Sequence, residues 1–232
     1  RLSVRVPADV ADHEQEKRLA TATEHEASMR RTDEYLRLLK RLWLNDRPFD
    51  HEGPFYSVKK GYVPSKRGLD EGIVIRMSGN SGMSLQVAGR HAHIFELKPT
   101  SLFELRTMIR RVTAAASTYG RAKNIRFALP VTVVHNDCSD TRVQNPACSI
   151  SLKDTGGSIE ALNQFIEAGI DDFMISGLCD PGGIREFGKK IIAALRHSAI
   201  PLQGPAPDQA GKRNVRLERH AANRRWPTER DA

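Results

Sequence analysis

The stretch from Ser158 to His197 constrains the fold of this chain more tightly than any other. Leu162, Phe165 and Ile166 recur at helical spacing, so residues 159–168 read as an amphipathic helix. Gly169 follows the last periodic residue and suits a left-handed C-terminal cap. After Asp171-Asp172 comes a short apolar run, Phe173-Met174-Ile175, ended by Ser176-Gly177. A run this short between turn residues predicts a strand buried on both faces, as parallel sheets require. Asp180-Pro181 then offers an N-cap and a proline at the first helical position. The next helix runs from about Ile184, with Ile191, Ile192 and Leu195 on one face. Helix, strand, loop, helix is the repeat unit of an α/β barrel or a doubly wound sheet. In a barrel the loop at 177–181 lies on the face where such enzymes work.

The same grammar runs upstream. Leu2, Val4 and Val6 alternate with Arg1, Ser3 and Arg5 as in a strand, which Pro7-Ala8-Asp9 ends. Residues 10–28 are charged and lack an apolar face, and read as a surface loop or a lightly anchored helix. Tyr35, Leu36, Leu38, Leu39, Leu42 and Trp43 predict an amphipathic helix over 32–44, with Thr32 as its N-cap. Residues 49–58 read as a hairpin-like excursion turning at Gly53-Pro54. Residues 73–77, 93–97 and 125–134 are further strands, separated by a short helix around Leu85–Ala88 and a long basic helix from Leu102. Residues 135–157 read as irregular. About five parallel strands result, too few to close an eight-stranded barrel. The expected fold is therefore α/β: a partial (β/α) TIM-type barrel over residues 1–203, comprising roughly its last five strands.

Bulk properties narrow the classes. No apolar run reaches the roughly 18 residues a membrane helix needs. Cys138, Cys148 and Cys179 are odd in number without paired metal-ligand spacing, as expected of reduced thiols in the cytoplasm. The net charge of +8 raises nucleic acid as a partner. Much of that excess, however, falls after Gly204 in a tail that begins Gly-Pro-Ala-Pro and has almost no apolar periodicity. Residues 204–232 are expected to be a disordered basic tail, and nucleic acid is not the expected ligand.

Few residues carry recognisable chemistry. Ser78-Gly79-Asn80-Ser81-Gly82, between a strand and a helix, is a candidate phosphate cradle, since free amides at a helix N-terminus favour an anion. Many strand-to-helix turns are rich in Gly and Ser for steric reasons alone, so both readings stand. His51 reads as structural, and His25 equally as a loop residue or a site residue. His91 and His93 have no carboxylate spaced to make a metal site. Asp171 and Asp172 face opposite ways on an extended segment and read as punctuation. Cys179 has no identifiable base beside it.

Residues 32–134 resemble the bacterial luciferase-like flavin-dependent monooxygenases, especially the alkanesulfonate monooxygenases. The resemblance is carried by Thr32-Asp33-Glu34-Tyr35-Leu36 through Leu42-Trp43, and by Phe49-Asp50-His51-Glu52-Gly53 with Phe55-Tyr56. It continues through residues 73–81, Val87-Ala88-Gly89-Arg90-His91-Ala92, Tyr119-Gly120-Arg121 and Ala168-Gly169-Ile170-Asp171-Asp172-Phe173. It implies a β/α barrel binding reduced FMN at the strand C-termini, with Gly79, Asn80 and Ser81 at the FMN phosphate. It further implies a flavin peroxide that oxygenates a small organosulfur substrate, and an NAD(P)H-dependent flavin reductase as partner. Catalytic residues are not identified, and no metal is expected.

The departures from the family pattern define two alternatives, a catalytically inactive flavoprotein remnant and a deazaflavin-dependent oxidoreductase. The chain begins at the family's fourth strand, as expected of a C-terminal portion. Pro7-Ala8-Asp9 stands where a Gly/Ser phosphate loop is usual. Ser28 and Met29 replace an Arg-Tyr pair, although His25 matches. Pro130 and Thr132 stand where an Arg and a His face the flavin, Leu178 replaces a tyrosine, and the substrate-covering insertion is missing. A half-barrel leaves two unpaired sheet edges, so self-association is expected.

Overall fold

The computed structural model describes residues 3–7, 22–64, 73–98, 101–134, 148–178 and 180–198. The described residues fall into two compact units that divide after Met29 and after Ile73.

The smaller unit contains most of α1 (Ala22–Leu44) and a hairpin of β2 (Phe49–Glu52) and β3 (Ser57–Gly61). Leu36 and Leu38 are buried, as the apolar stripe requires. The expected start at Thr32 is too late: α1 is already helical at Ala22. Between Glu24 and Arg31 only Met29 is buried, so this stretch shows almost no periodicity to read. The hairpin falls where the Gly-Pro turn predicts it. Residues 8–21 and the expected tail, 204–232, lie outside the described residues.

The larger unit is a parallel sheet with helices between its strands. β1 (Ser3–Pro7) pairs with β4 (Val74–Ser78), β4 with β5 (Ile94–Glu96), and β5 with β6 (Arg126–Val134), all parallel. β8 (Asp172–Ser176) pairs with β6 through residues 128–132. These are the five expected strands, side by side in chain order. One more strand, β7 (Ser149–Ser151), pairs with the end of β6 inside the segment expected to be irregular. It is three residues long with Ile150 alone apolar, too little for a periodic signal. β8 is half-buried rather than buried on both faces; among the described residues β6 is its only strand partner.

Register sorts the sheet into two faces, because partners across a parallel pair point the same way. Ile75, Met77, Phe95, Phe127, Leu129, Val131 and Val133 share one face and are all buried. They form the core together with Leu105 and Val112 of α3 (Leu102–Ser117) and Leu162 of α4 (Thr155–Glu167). The opposite face carries Arg5, Arg76, Glu96, Asp172 and Met174. α2 (Gly82–His91) meets α3 so closely that a Cβ on Gly89 would lie 2.7 Å from the Ala115 carbonyl carbon. Arg121 seals that pair, donating to the Gly89 and Ala92 carbonyls at 3.0 and 2.9 Å.

The helix boundaries follow their caps. Asp154 accepts from the Gly157 amide and starts α4, and Gly169 closes it at φ +105°, in the conformation that favours glycine. Asp180 caps α5 (Pro181–Phe187) with proline at the first helical turn. A π turn over Gly188–Ile192 buries Ile191 and leaves Ile192 half-buried, and it leads into α6 (Ala193–Ser198), where Leu195 is half-buried.

Candidate functional site

The turn Ser78-Gly79-Asn80-Ser81 leaves the C-terminal end of β4 and enters α2. Gly79 sits at φ +136°, which only glycine adopts without strain. That bend lets Ser81 take the N-cap, where its Oγ accepts the Ser84 amide at 3.1 Å. Leu85 bonds the Ser81 carbonyl. The first-turn amides of Gly82 and Met83 have no intrahelical partner, as at any helix start. A Cβ on Gly82 would meet nothing within 4 Å. Arg111 of α3 donates to the Asn80 carbonyl at 2.9 Å and fixes the turn from outside.

His25 reaches this turn from α1. Its Nε2 lies 2.7 Å from Ser81 Oγ. The Ser81 hydroxyl donates to Ser84 Oγ at 3.0 Å, and Ser84 returns its own proton to the Ser81 carbonyl at 2.9 Å. The donor in the His25–Ser81 contact is set by the imidazole tautomer. Sequence reasoning singled out His25 and Ser81 separately; the fold joins them.

A cleft of about 130 Å³ opens beside the turn. Ser78, Gly79 and Asn80 line it from β4, Glu96 and Lys98 from β5, and Glu104 and Met108 from α3. The cleft thus lies at strand C-termini, where β/α folds place their sites. Amides at a helix N-terminus with Lys98 nearby suit one anionic group, though Glu104 brings a negative charge to the same wall. Among the described residues, no group of three or more His, Cys, Asp or Glu is placed to hold a metal ion.

The remaining candidates do structural work. Glu34 is buried and accepts from His51 Nε2 at 2.8 Å and from the Phe55 and Tyr56 amides at 3.1 Å each. Burial raises its pKa, but the His51 hydrogen bond and both amides outweigh that and hold the carboxyl below its ordinary value. Gly53 lies against this pair, since a Cβ there would meet Glu34 and His51 side-chain atoms. The Phe127 amide donates to the Asp171 carboxylate at 2.8 Å and the Asp171 amide to the Phe127 carbonyl at 2.9 Å, while Asp172 faces Arg126 at 3.6 Å. Burial, with Asp172 adding repulsion, pushes Asp171 up. His93 Nδ1 accepts the Ile75 amide at 3.0 Å, and His91 is buried at the end of α2. Thr132 and Ser176 hydroxyls meet at 3.3 Å, and Gly177 follows at φ +86°. Ser28 is exposed and Met29 buried. Pro7 pairs in register with Ser78, while Ala8, Asp9 and Cys179 lie outside the described residues.

One constellation escaped the sequence. On the polar sheet face, Glu96 is 3% exposed, and its Oε1 accepts from Arg76 Nε at 2.9 Å. Arg5 Nη2 stands 2.7 Å from Oε2. Arg76 Nη2 reaches Met174 Sδ at 3.0 Å across the sheet. The only sequence signal is the phase: Arg5 and Arg76 fall out of step with the apolar residues of their strands.

Comparison with known proteins defines the class. The chain superposes on a riboflavin lyase solved with modified FMN and riboflavin, with TM-score 0.60 and 15% identity over 82% of this chain. An F420-dependent secondary alcohol dehydrogenase gives TM-score 0.63 and 18% identity over 83% of this chain and 69% of its own. A long-chain alkane monooxygenase gives 0.61 and 16% over 87% of this chain. The chain spans only 62% of the lyase and 64% of the alkane monooxygenase. At these identities the likeness establishes the fold, an α/β chain built on part of a TIM-type barrel. No curated protein matches in sequence. The profile of the luciferase-like monooxygenase family matches residues 8–165, more than half of the chain, and the protein belongs to that family.

Proposed function

We propose that this chain is part of a reduced-FMN-dependent monooxygenase of the alkanesulfonate type, acting on a small organosulfur substrate. The observation that supports it most is the Gly79-Asn80-Ser81 turn, which leads into a helix N-terminus beside a cleft at the strand ends. Gly79 permits the bend, Asn80 and Ser81 order the turn, and the Gly82 and Met83 amides would hold the FMN phosphate. Bound there, reduced flavin supplies the oxygen chemistry, while the chain orients it and keeps water away. His25 holds the turn in its binding shape. A separate NAD(P)H-dependent flavin reductase in the cytoplasm supplies the reduced cofactor, and the chain self-associates.

The second reading is deazaflavin-dependent hydride transfer, favoured by the shared fold with the F420-dependent dehydrogenase. Turnover separates the readings. The chain, a flavin reductase, NADH, FMN and oxygen are incubated with short alkanesulfonates, and sulfite is measured. Sulfite release above the chain-free control supports the monooxygenase. Alcohol-dependent bleaching of the deazaflavin instead supports the second reading. No turnover in either assay, with FMN still bound, identifies the inactive flavoprotein.

A further inference from the structure

We propose that Arg5 and Arg76, organised by Glu96, form an oxoanion-binding site on the polar face of the parallel sheet. As a statement about the substrate's charged group, this deepens the monooxygenase reading and rests on it. The site itself is defined without flavin.

Charge is the first argument. Two guanidinium groups share one carboxylate, which leaves one positive charge in excess within this trio. Glu96 is nearly sealed from water, so its attraction is weakly screened and both arginines are held to it.

Unfilled donor capacity is the second argument. Arg76 commits Nε to Glu96 Oε1, but Nη2 faces the Met174 thioether, a weak acceptor where a strong one would fit. Arg5 contacts Oε2 at 2.7 Å without hydrogen-bond alignment, so that contact is ionic alone. Among the described residues, the Arg5 side chain makes no hydrogen bond. This side chain is 60% exposed, so an incoming anion can reach it, whereas that of Arg76 is 23% exposed.

Position is the third argument. Arg5 and Arg76 are register partners on adjacent strands and so stand side by side. Glu96 also lines the cleft beside the Gly79-Asn80-Ser81 turn. Planar N–H donors of two neighbouring guanidiniums match a sulfonate or phosphate better than lysine does. The Arg5–Arg76 pair supplies positive charge on the same sheet face as Pro130 and Thr132, which are neutral.

Saturation-transfer NMR with ethanesulfonate, in the absence of flavin, tests the site. Wild-type protein binds saturably. Arg5→Gln leaves Glu96 paired with Arg76, keeps the fold, and weakens binding at least about tenfold, one guanidinium contact's worth. Arg106→Gln, which removes an exposed charge on α3, leaves binding unchanged and controls for net charge. Because Arg76→Gln alone strands Glu96, the double variant Arg76→Gln with Glu96→Gln is used, and it abolishes binding. Repeating the titration with saturating FMN separates two sources of the anion. An unchanged affinity assigns the site to the substrate; about tenfold weakening or more assigns it to the cofactor phosphate. No saturable binding to wild type overturns the proposal, as does equal weakening by Arg106→Gln and Arg5→Gln. FMN titration of the same variants reports separately on the flavin reading.

Discussion

Ser81 offers a perturbation that separates stability from binding. Replacing it with alanine removes the cap on α2 and the contact with His25. Loss of a Ser cap costs about 1 kcal/mol, and loss of the part-buried His25 hydrogen bond about 1 kcal/mol more. Together, ~2 kcal/mol corresponds to a fall in Tm of about 4–8 °C for a domain of this size. His25→Ala removes only the second contribution, so the double variant is expected to show coupling of about 1 kcal/mol. Ser81→Asp behaves differently. Aspartate caps a helix as well as serine and suits the positive helix end, so stability stays close to wild type. Its carboxylate would repel a phosphate held at the same turn; two unit charges at contact distance repel by about 1–4 kcal/mol between the solvent and protein-surface limits. FMN affinity should fall about fivefold to nearly a thousandfold, while riboflavin, which lacks the phosphate, should lose far less. Calorimetric melting and paired FMN and riboflavin titrations measure both quantities. If Ser81→Asp binds FMN as tightly as wild type, the turn does not hold the phosphate.

Three further outcomes follow from the packing. Glu34→Ala strands the Phe55 and Tyr56 amides and His51, and should cost about 3 kcal/mol in urea unfolding. Because the folded-state pKa of Glu34 is depressed, its contribution is full above its ordinary value of 4.5 and is lost as pH falls below it. Acid titration of wild type should show this loss, and of Glu34→Gln a shallower one. Gly89→Ala forces a methyl group into the α3 backbone and should destabilise the larger unit by about 1–3 kcal/mol, read by circular dichroism. Arg121→Met leaves the Gly89 and Ala92 carbonyls without its charged donor and should cost about 1–3 kcal/mol, visible as faster amide exchange in α2.

Much of this architecture was legible because parallel strands leave a strong trace. Ile73–Met77 and the run through Leu129–Val133 are short, apolar and bounded by turns, and both fall in strands of the parallel sheet. Caps were equally readable: Asp180-Pro181 and Gly169 act as their chemistry predicts. The first turns of α1 were not, because their charged residues bury only Met29 and the helix is anchored by the distant His25–Ser81 contact. β7 was missed because pairing with β6, not composition, makes it a strand. The candidate turn was found from its glycine and serines. The arginine pair was not, because Arg5, Arg76 and Glu96 lie far apart in sequence and only the register brings them together.

The central claim, that this chain holds reduced FMN at the Gly79-Asn80-Ser81 turn, is tested most directly by anaerobic titration with FMN and reduced FMN, followed by flavin fluorescence. The account predicts saturable micromolar binding of the reduced form, about −8 kcal/mol, weakened in Ser81→Asp. Absence of saturation with either form, from protein shown to be folded, would contradict it.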